Sequence, residues 1–178
     1  MKLVILDRDG VINYDSAQFI KSPAEWKAIP GSLEAIAKLT QAGYKVVIAS
    51  NQSGIGRGLF DMDTLNAIHN KMHRAAQAAG GRIDAVFYCP HTSESKCNCR
   101  KPKPGMFERI SACFNTDLSE TFAIGDSLRD LQAAATVGAQ PVLVLTGKGE
   151  ITQANGNVPD GTLVFSDLAA AVEHILQP

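Results

Sequence analysis

Six short aliphatic runs punctuate the chain: LVIL at 3–6, KVVIAS at 45–50, DAVFYC at 84–89, FAIG at 122–125, PVLVL at 141–145 and TLVF at 162–165. They are continuous rather than alternating, which is the pattern of strands covered on both faces. Between them, residues 31–42, 61–79, 104–114, 127–137 and 167–176 repeat apolar positions every three or four residues, the period of helices with one face toward a core. Two helix starts carry capping chemistry: Asp61 precedes a turn containing Asp63, and Ser127 directly follows a strand. Strand alternating with helix predicts an α/β fold, a Rossmann-like three-layer sandwich around a mainly parallel sheet. No repeat, low-complexity tract or linker interrupts it, and 178 residues suit a single domain over 1–178.

Charge narrows the partners. Lys+Arg 17 against Asp+Glu 18 leaves a net charge of −1, so nothing general draws the chain to nucleic acid or an acidic membrane. Any anion specificity is therefore local. No run approaches the ~18 apolar residues of a membrane helix, and Lys2 leads straight into strand residues rather than a leader. The expectation is a cytoplasmic monomer with a small-molecule substrate and no nucleic-acid or membrane partner.

In an open parallel sheet, ligands bind beyond the carboxyl ends of the strands. The first strand ends in Asp7-Arg8-Asp9-Gly10, the second in Ser50-Asn51-Gln52-Ser53-Gly54 and the fourth in Gly125-Asp126-Ser127, with Arg100-Lys101 in the segment before it. Three carboxylates gathered at one edge repel unless a hard cation holds them, and Mg²⁺ favours a few carboxylates plus phosphate oxygens and water. A divalent ion and a phosphate follow. A carboxylate can then attack phosphorus, a second can move the proton, and fixed cations can hold the transferring group. Asp7 and Asp9, one residue apart, would face opposite ways on a strand, so Gly10 must bend the chain to bring Asp9 around.

Three of the four cysteines crowd beside a histidine in CPHTSESKCNC: Cys89, His91, Cys97 and Cys99. Three thiolates and an imidazole can close a tetrahedral shell around Zn²⁺ and leave no open position, so the site is structural. It leads directly into Arg100 and Lys101. Cys113 lies on an apolar helical stretch and reads as a buried free thiol.

Other features are discounted. Gly54-Ile55-Gly56-Arg57-Gly58 fails the dinucleotide spacing, and its glycines are expected to let the backbone approach a substrate, with Arg57 either helping there or solvated. His69 and His73, one turn apart, lack a third metal ligand and are assigned to a polar helix face. Phe19 and Trp26, between the first strand and the first helix, either cover the mouth of the site or pack in the core, and are assigned to core packing.

The ordered set of DxD, Ser50, Lys101 and Gly125-Asp126-Ser127 resembles the haloacid dehalogenase (HAD) superfamily of phosphohydrolases. The resemblance implies that Asp7 is the nucleophile and Asp9 the general acid and then base, that Ser50 and Lys101 bind the phosphoryl group, and that Asp7, the Asp9 carbonyl and Asp126 hold Mg²⁺. Asp130 is left open between a supporting role and a solvated helix position. About forty residues separate the first two motifs and about fifty the next two, which core helices and a strand consume, so no separate cap domain is expected.

Over nearly its whole length, at DRDGVIN, SNQSGIGRG, CPH, CNCRKPKPGM, GDSLRDLQAA and TGKG, the chain is similar to the branch of that superfamily acting on heptose bisphosphates. This similarity implies removal of a sugar bisphosphate's C7 phosphate in nucleotide-heptose precursor synthesis. It also implies substrate contacts at Asp15, Ser16, Ala17, Gln18, Asn51, Gln52, Ser53, Arg100 and Ser127. Two departures stand out: a shorter zinc loop than in some members, and Ser127 where some have lysine. Histidinol-phosphate phosphatases, which share the DRDG start and the zinc loop, are the alternative, and a non-catalytic sugar-phosphate binding protein is a second.

Overall fold

The aliphatic runs become six parallel strands: β1 (Leu3–Leu6), β2 (Lys45–Asn51), β3 (Ala85–Cys89), β4 (Phe122–Gly125), β5 (Gln140–Val144) and β6 (Leu163–Phe165). The computed structural model describes residues 1–178, with the strands in the order β3-β2-β1-β4-β5-β6 and every pairing parallel. Such ladders need crossovers, and the predicted helices supply them: α1 (Ser32–Gln41), α2 (Met62–Ala78), α3 (Gly105–Phe114), α4 (Leu128–Thr136) and α6 (Leu168–Ile175), together with α5 (Gly149–Asn155). The sequence pattern missed α5, which is seven residues long and mostly polar. Between β1 and α1 the chain makes only one 3-10 turn, Pro23–Glu25, and no inserted domain covers the sheet edge.

Alternation along β1 divides the core. Val4 and Leu6 join Ile36, Leu39, Ile68, Met72, Val172 and Ile175 from α1, α2 and α6 on one face. Leu3 and Ile5 pack on the other against Met106, Phe107 and Ile110 of α3 and the small Ala133 and Ala134 of α4. Each fully buried aliphatic side chain contributes on the order of 2 kcal/mol, so β1 is held from both sides. Because α1 and α2 cross one face and α3 and α4 the other, the winding direction reverses between β1 and β4. That switch point opens a crevice at their carboxyl ends.

Several placements differ from the sequence reading. Trp26 does enter the core, but Phe19 does not: it has a left-handed φ of 66° and its ring stacks under the Arg57 guanidinium at 5.7 Å. Cys113 is exposed, because its position on α3 faces away from the sheet. His69 is buried on α2 rather than on a polar face. No helix is long and apolar enough to cross a membrane.

Candidate active site

The turn after β1 carries out the predicted bend. Asp7 continues the ladder through its amide to the Ile124 carbonyl at 2.9 Å, and the Arg8 carbonyl then accepts from the amides of Val11, Ile12 and Asn13. Gly10 takes a φ of +82°, where a side chain is strained, and leaves room for a carboxylate: a Cβ there would lie 2.0 Å from Asp126 Oδ2. Gly147 closes the same slot from the β5–α5 loop, at 2.2 Å. The Lys148 amide donates to Asp126 Oδ2 at 2.8 Å, and the Thr152 hydroxyl to its carbonyl at 2.8 Å. Asp126 therefore sits beside Asp7 because two glycines vacate the space.

Lys101 arrives from the opposite side. Its Nζ, buried, donates to the Ala49 carbonyl at 2.6 Å and to Asp7 Oδ1 at 3.1 Å, and pairs with Asp130 Oδ1 at 2.7 Å. Asn51 clamps its backbone, donating to the Lys101 carbonyl at 3.1 Å and accepting from its amide at 3.0 Å. The open question about Asp130 is thereby answered: it is a buried partner of Lys101, and its Oδ2 also accepts from the amide and hydroxyl of Ser127 at 3.0 and 2.8 Å. Sequence spacing could have placed Asp130 one turn into α4 but not against Lys101.

Carboxyl groups of Asp7, Asp126 and Asp130 come within 4.8 Å of one another. Burial, aided by Asp130 and Asp9 and opposed by Lys101, raises the Asp7 pKa to about 6, and burial with Asp7 and Asp130 raises Asp126 to about 8. Asp130 goes the other way: burial alone would raise it, but Lys101 holds it low. Asp7 and Asp126 thus form a carboxylate pair short of positive charge. That deficit is what a divalent cation corrects, and all-oxygen donors fit Mg²⁺.

Asp9 is embedded differently. Its carboxylate accepts from Arg8 Nε and Nη2 at 2.9 and 3.2 Å, from Asn13 Nδ2 at 2.9 Å and from Gln52 Nε2 at 3.2 Å. Burial opposes ionisation, yet Arg8 and these donors keep its pKa low. Gln52 also donates to the buried Ser50 hydroxyl at 2.7 Å.

Asp7, Asp9, Lys101 and Asp126 line a crevice of about 220 Å³ with Asp15, Ser16, Ala17, Phe19, Asn51, Ser53, Arg57, Arg100, Arg129 and Lys148. A larger depression of about 560 Å³ between α3 and residues 115–118 offers no cation for an anionic ligand. At the crevice mouth Lys148 Nζ stands 3.5 Å from Asp15 Oδ2.

Next to Arg100 the four metal-binding candidates converge. Cys99 Sγ lies 3.0 Å from Cys89 Sγ, Cys97 Sγ lies 3.8 Å from Cys89 Sγ, and His91 Nδ1 is 3.3 Å from both Cys89 and Cys99. A tetrahedral Zn²⁺ shell spaces its sulfurs by ~3.7 Å, so this donor set fits it. Burial lifts the Cys89 thiol to about 12, while the Arg100 amide and neighbouring sulfurs, outweighing burial, draw Cys97 down to about 6. The loop is tied to the site: Arg100 Nη1 donates to the His91 carbonyl at 3.2 Å and Lys103 Nζ to the Cys97 carbonyl at 2.6 Å.

The family described as HAD-hydrolase-like matches residues 98–171. A D-glycero-beta-D-manno-heptose-1,7-bisphosphate 7-phosphatase of Bordetella bronchiseptica is 60% identical over 177 residues, covering 99% of both chains. The chain belongs to the heptose-1,7-bisphosphate 7-phosphatase family of HAD-like hydrolases. A phosphatase of the same name from Pseudomonas putida is 51% identical over 99% of this chain and 100% of its own. The crystal structure of the B. bronchiseptica D,D-heptose 1,7-bisphosphate phosphatase, complexed with magnesium and phosphate, superposes with a TM-score of 0.98 over 99% of each chain. That of Burkholderia thailandensis, 56% identical, gives 0.81 over 100% of each chain.

In this heptose-bisphosphate phosphatase fold, Asp15, Ser16, Ala17, Asn51, Ser53 and Arg100 line the crevice as expected contacts would, whereas Gln18, Ser50, Gln52 and Ser127 do not. Gln18 is exposed and only its backbone bonds locally, the amide to Ser16 Oγ and the carbonyl from Lys21 Nζ. Ser127 turns onto Asp130, and Ser50 and Gln52 are engaged with each other. The glycine-rich stretch serves internal packing: a Cβ at Gly54 would meet Phe60 at 2.3 Å and one at Gly56 the Pro90 carbonyl at 2.6 Å. Sequence reasoning missed Arg129 and Lys148, although GDSLRD and TGKG already contained them, and left Arg57 open.

Proposed function

We propose that this chain is a Mg²⁺-dependent phosphatase that removes the C7 phosphate of D-glycero-β-D-manno-heptose 1,7-bisphosphate, the substrate for which its relatives are named. The observation that carries the reading is the placement of Lys101 Nζ 3.1 Å from Asp7 Oδ1, with Asp126 alongside, in one crevice bordered by Arg57, Arg100, Arg129 and Lys148. It is supported by the 60% identical structure complexed with magnesium and phosphate.

Asp7 is the nucleophile. One of its oxygens attacks phosphorus, the bond to the C7 oxygen breaks, and that oxygen takes a proton from Asp9, which is ionised in the free protein and collects that proton from the substrate's phosphate monoanion, leaving an aspartyl phosphate. Water then attacks the same phosphorus, gives its proton to Asp9, and phosphate departs with Asp7 regenerated. Mg²⁺, held by Asp7, Asp126 and the Asp9 carbonyl, would neutralise the carboxylates and the phosphoryl oxygens. Lys101 and Ser50 hold the transferring group, Asn51 keeps Lys101 in place, and Asp130 keeps its ammonium charged. Asp15, Ser16, Ala17, Ser53, Arg100 and, once the loops adjust, Gln18, Gln52 and Ser127 contact the sugar bisphosphate. Zn²⁺ at Cys89, His91, Cys97 and Cys99 is structural and orders the loop that delivers Arg100 and Lys101. The chain works as a cytoplasmic monomer, serving nucleotide-heptose precursor synthesis.

The test compares phosphate release from the heptose bisphosphate and from histidinol phosphate, with Asp7→Asn in parallel. The heptose substrate should be strongly preferred, and Asp7→Asn should lose nearly all turnover while still binding phosphate. Preference for histidinol phosphate would replace the substrate, and normal turnover by Asp7→Asn would eliminate the covalent route.

A further inference from the structure

Arg8 is the most completely enclosed charged residue of the site, and its surroundings point to a role for α2 in the chemistry. A guanidinium only donates hydrogen bonds and does not lose its charge in a protein. Nε and Nη2 of Arg8 form a fork on Asp9, and Nη2 is shared with Gln52 Oε1 at 3.2 Å. The remaining corner, Nη1, faces His69 Nε2 at 3.1 Å. Since Arg8 cannot accept, Nε2 of His69 must, which makes the ring neutral with its proton on Nδ1.

We propose that His69 is a positioning residue: through Arg8 it sets where the carboxylate of Asp9 lies. The inference rests on the reading of Asp9 as the proton shuttle. His69 is fixed independently of the site, because its neighbours Leu65, Ile68 and Met72 on α2 are buried in the core. Removing its acceptor leaves a buried N–H of Arg8 without a partner, and the guanidinium turns to find one. The Asp9 fork turns with it. The groups facing the ring are Arg8, Asp9 beyond it, His73 on the same helix and the Tyr88 ring of β3 with its centroid 6.4 Å away. Burial, Arg8 and His73 depress the pKa of His69 to about 3, so it stays an acceptor across the working range.

The experiment measures kcat/KM for His69→Leu, His69→Asn and His69→Gln on two substrates with Mg²⁺ present. The C7 oxygen of the sugar leaves as an alkoxide that needs a proton, whereas the nitrophenolate of p-nitrophenyl phosphate leaves without one. His69→Leu should lose about 100-fold on the sugar and stay within about threefold on the nitrophenyl ester. Gln keeps an acceptor near the Nε2 position and should restore the sugar reaction to within about fivefold, while the shorter Asn should match Leu and provides the comparison if Leu does not fold. Equal losses on both substrates, or equal activity of Asn and Gln, would overturn the role. A wild type that cleaves the nitrophenyl ester but not the heptose bisphosphate overturns the substrate reading instead, and the same comparison then runs on glycerol phosphate. A wild type inactive on every phosphomonoester overturns both.

Discussion

Asp130 Oδ1 lies 2.7 Å from Lys101 Nζ with both side chains buried, so the ammonium beside Asp7 is held at its rear by a carboxylate that does not face the crevice. Removing one member of a buried pair leaves the other uncompensated. Asp130→Ala should cost about 3 kcal/mol in urea unfolding, with a larger loss of turnover than of folding cooperativity. Asp130→Asn, which keeps the shape and one acceptor, should cost less on both counts. An Asp130→Ala protein as stable and active as wild type would show that Asp7, the Ala49 carbonyl and Asn51 suffice to anchor Lys101.

The slot around Asp126 predicts a contrast between two glycines. Gly10 and Gly43 have nearly the same left-handed φ, +82° and +83°, but only Gly10 faces a neighbour, Asp126 Oδ2 at 2.0 Å from the added Cβ, while nothing lies within 4 Å at Gly43. Gly43→Ala should show only the backbone strain of about 1–2 kcal/mol. Gly10→Ala should add displacement of Asp126, seen as a Mg²⁺ requirement raised by about tenfold or more. Parallel Mg²⁺ titrations of activity compare them directly.

Protein freed of Mg²⁺ with its zinc retained should lose stability as pH rises. The folded pKa values of Asp7, about 6, and Asp126, about 8, lie above the ordinary value of 3.8, so the folded state keeps protons that the unfolded chain has released. His69, whose folded pKa of about 3 lies below its ordinary 6.5, opposes this trend below about pH 6.5, but it is one proton against two, so the melting temperature should fall from about pH 5 up to about pH 8. Asp9 and Asp130, held low, act only below that window, where stability falls with acid. Mg²⁺ should stabilise more at pH 8 than at pH 5 and should release protons on binding, measurable by calorimetry in buffers of different ionisation heat. A melting temperature that rises over this window in zinc-loaded, Mg²⁺-free protein would contradict the assignment.

Zinc should be present in protein purified without added metal. Cys97→Ser should lose it, melt earlier and drop in activity by about tenfold or more, because Arg100 and Lys101 hang on that loop. Cys113→Ser, at an exposed and separate position, should leave zinc content and activity unchanged. Full activity in a zinc-free preparation would show that the loop orders itself.

Much of the fold was legible because β1 to β5 are continuous apolar runs and the principal helices are amphipathic, so each signal is local. Helix α5 was not, since GEITQAN is short and buries only Gly149 and Thr152. The DxD pair and the cysteine cluster could be read for the same reason: their members are neighbours in sequence. What escaped depends on tertiary placement. Asp130 meets Lys101 across 29 residues and His69 meets Arg8 across 61, contacts created only when α4 and α2 dock on the sheet. Cys113 was misjudged because an apolar stretch on α3 does not reveal which flank turns outward.

The crevice is bordered by Arg57, Arg100, Arg129 and Lys148 on short loops, with no inserted domain to swing across it. Capture of a multiply charged ester then depends on long-range attraction toward a fixed ring of cations instead of on closure. Encounter is consequently fast in dilute buffer and slows as ionic strength rises, which makes the salt content of the surroundings a direct brake on throughput when substrate is scarce.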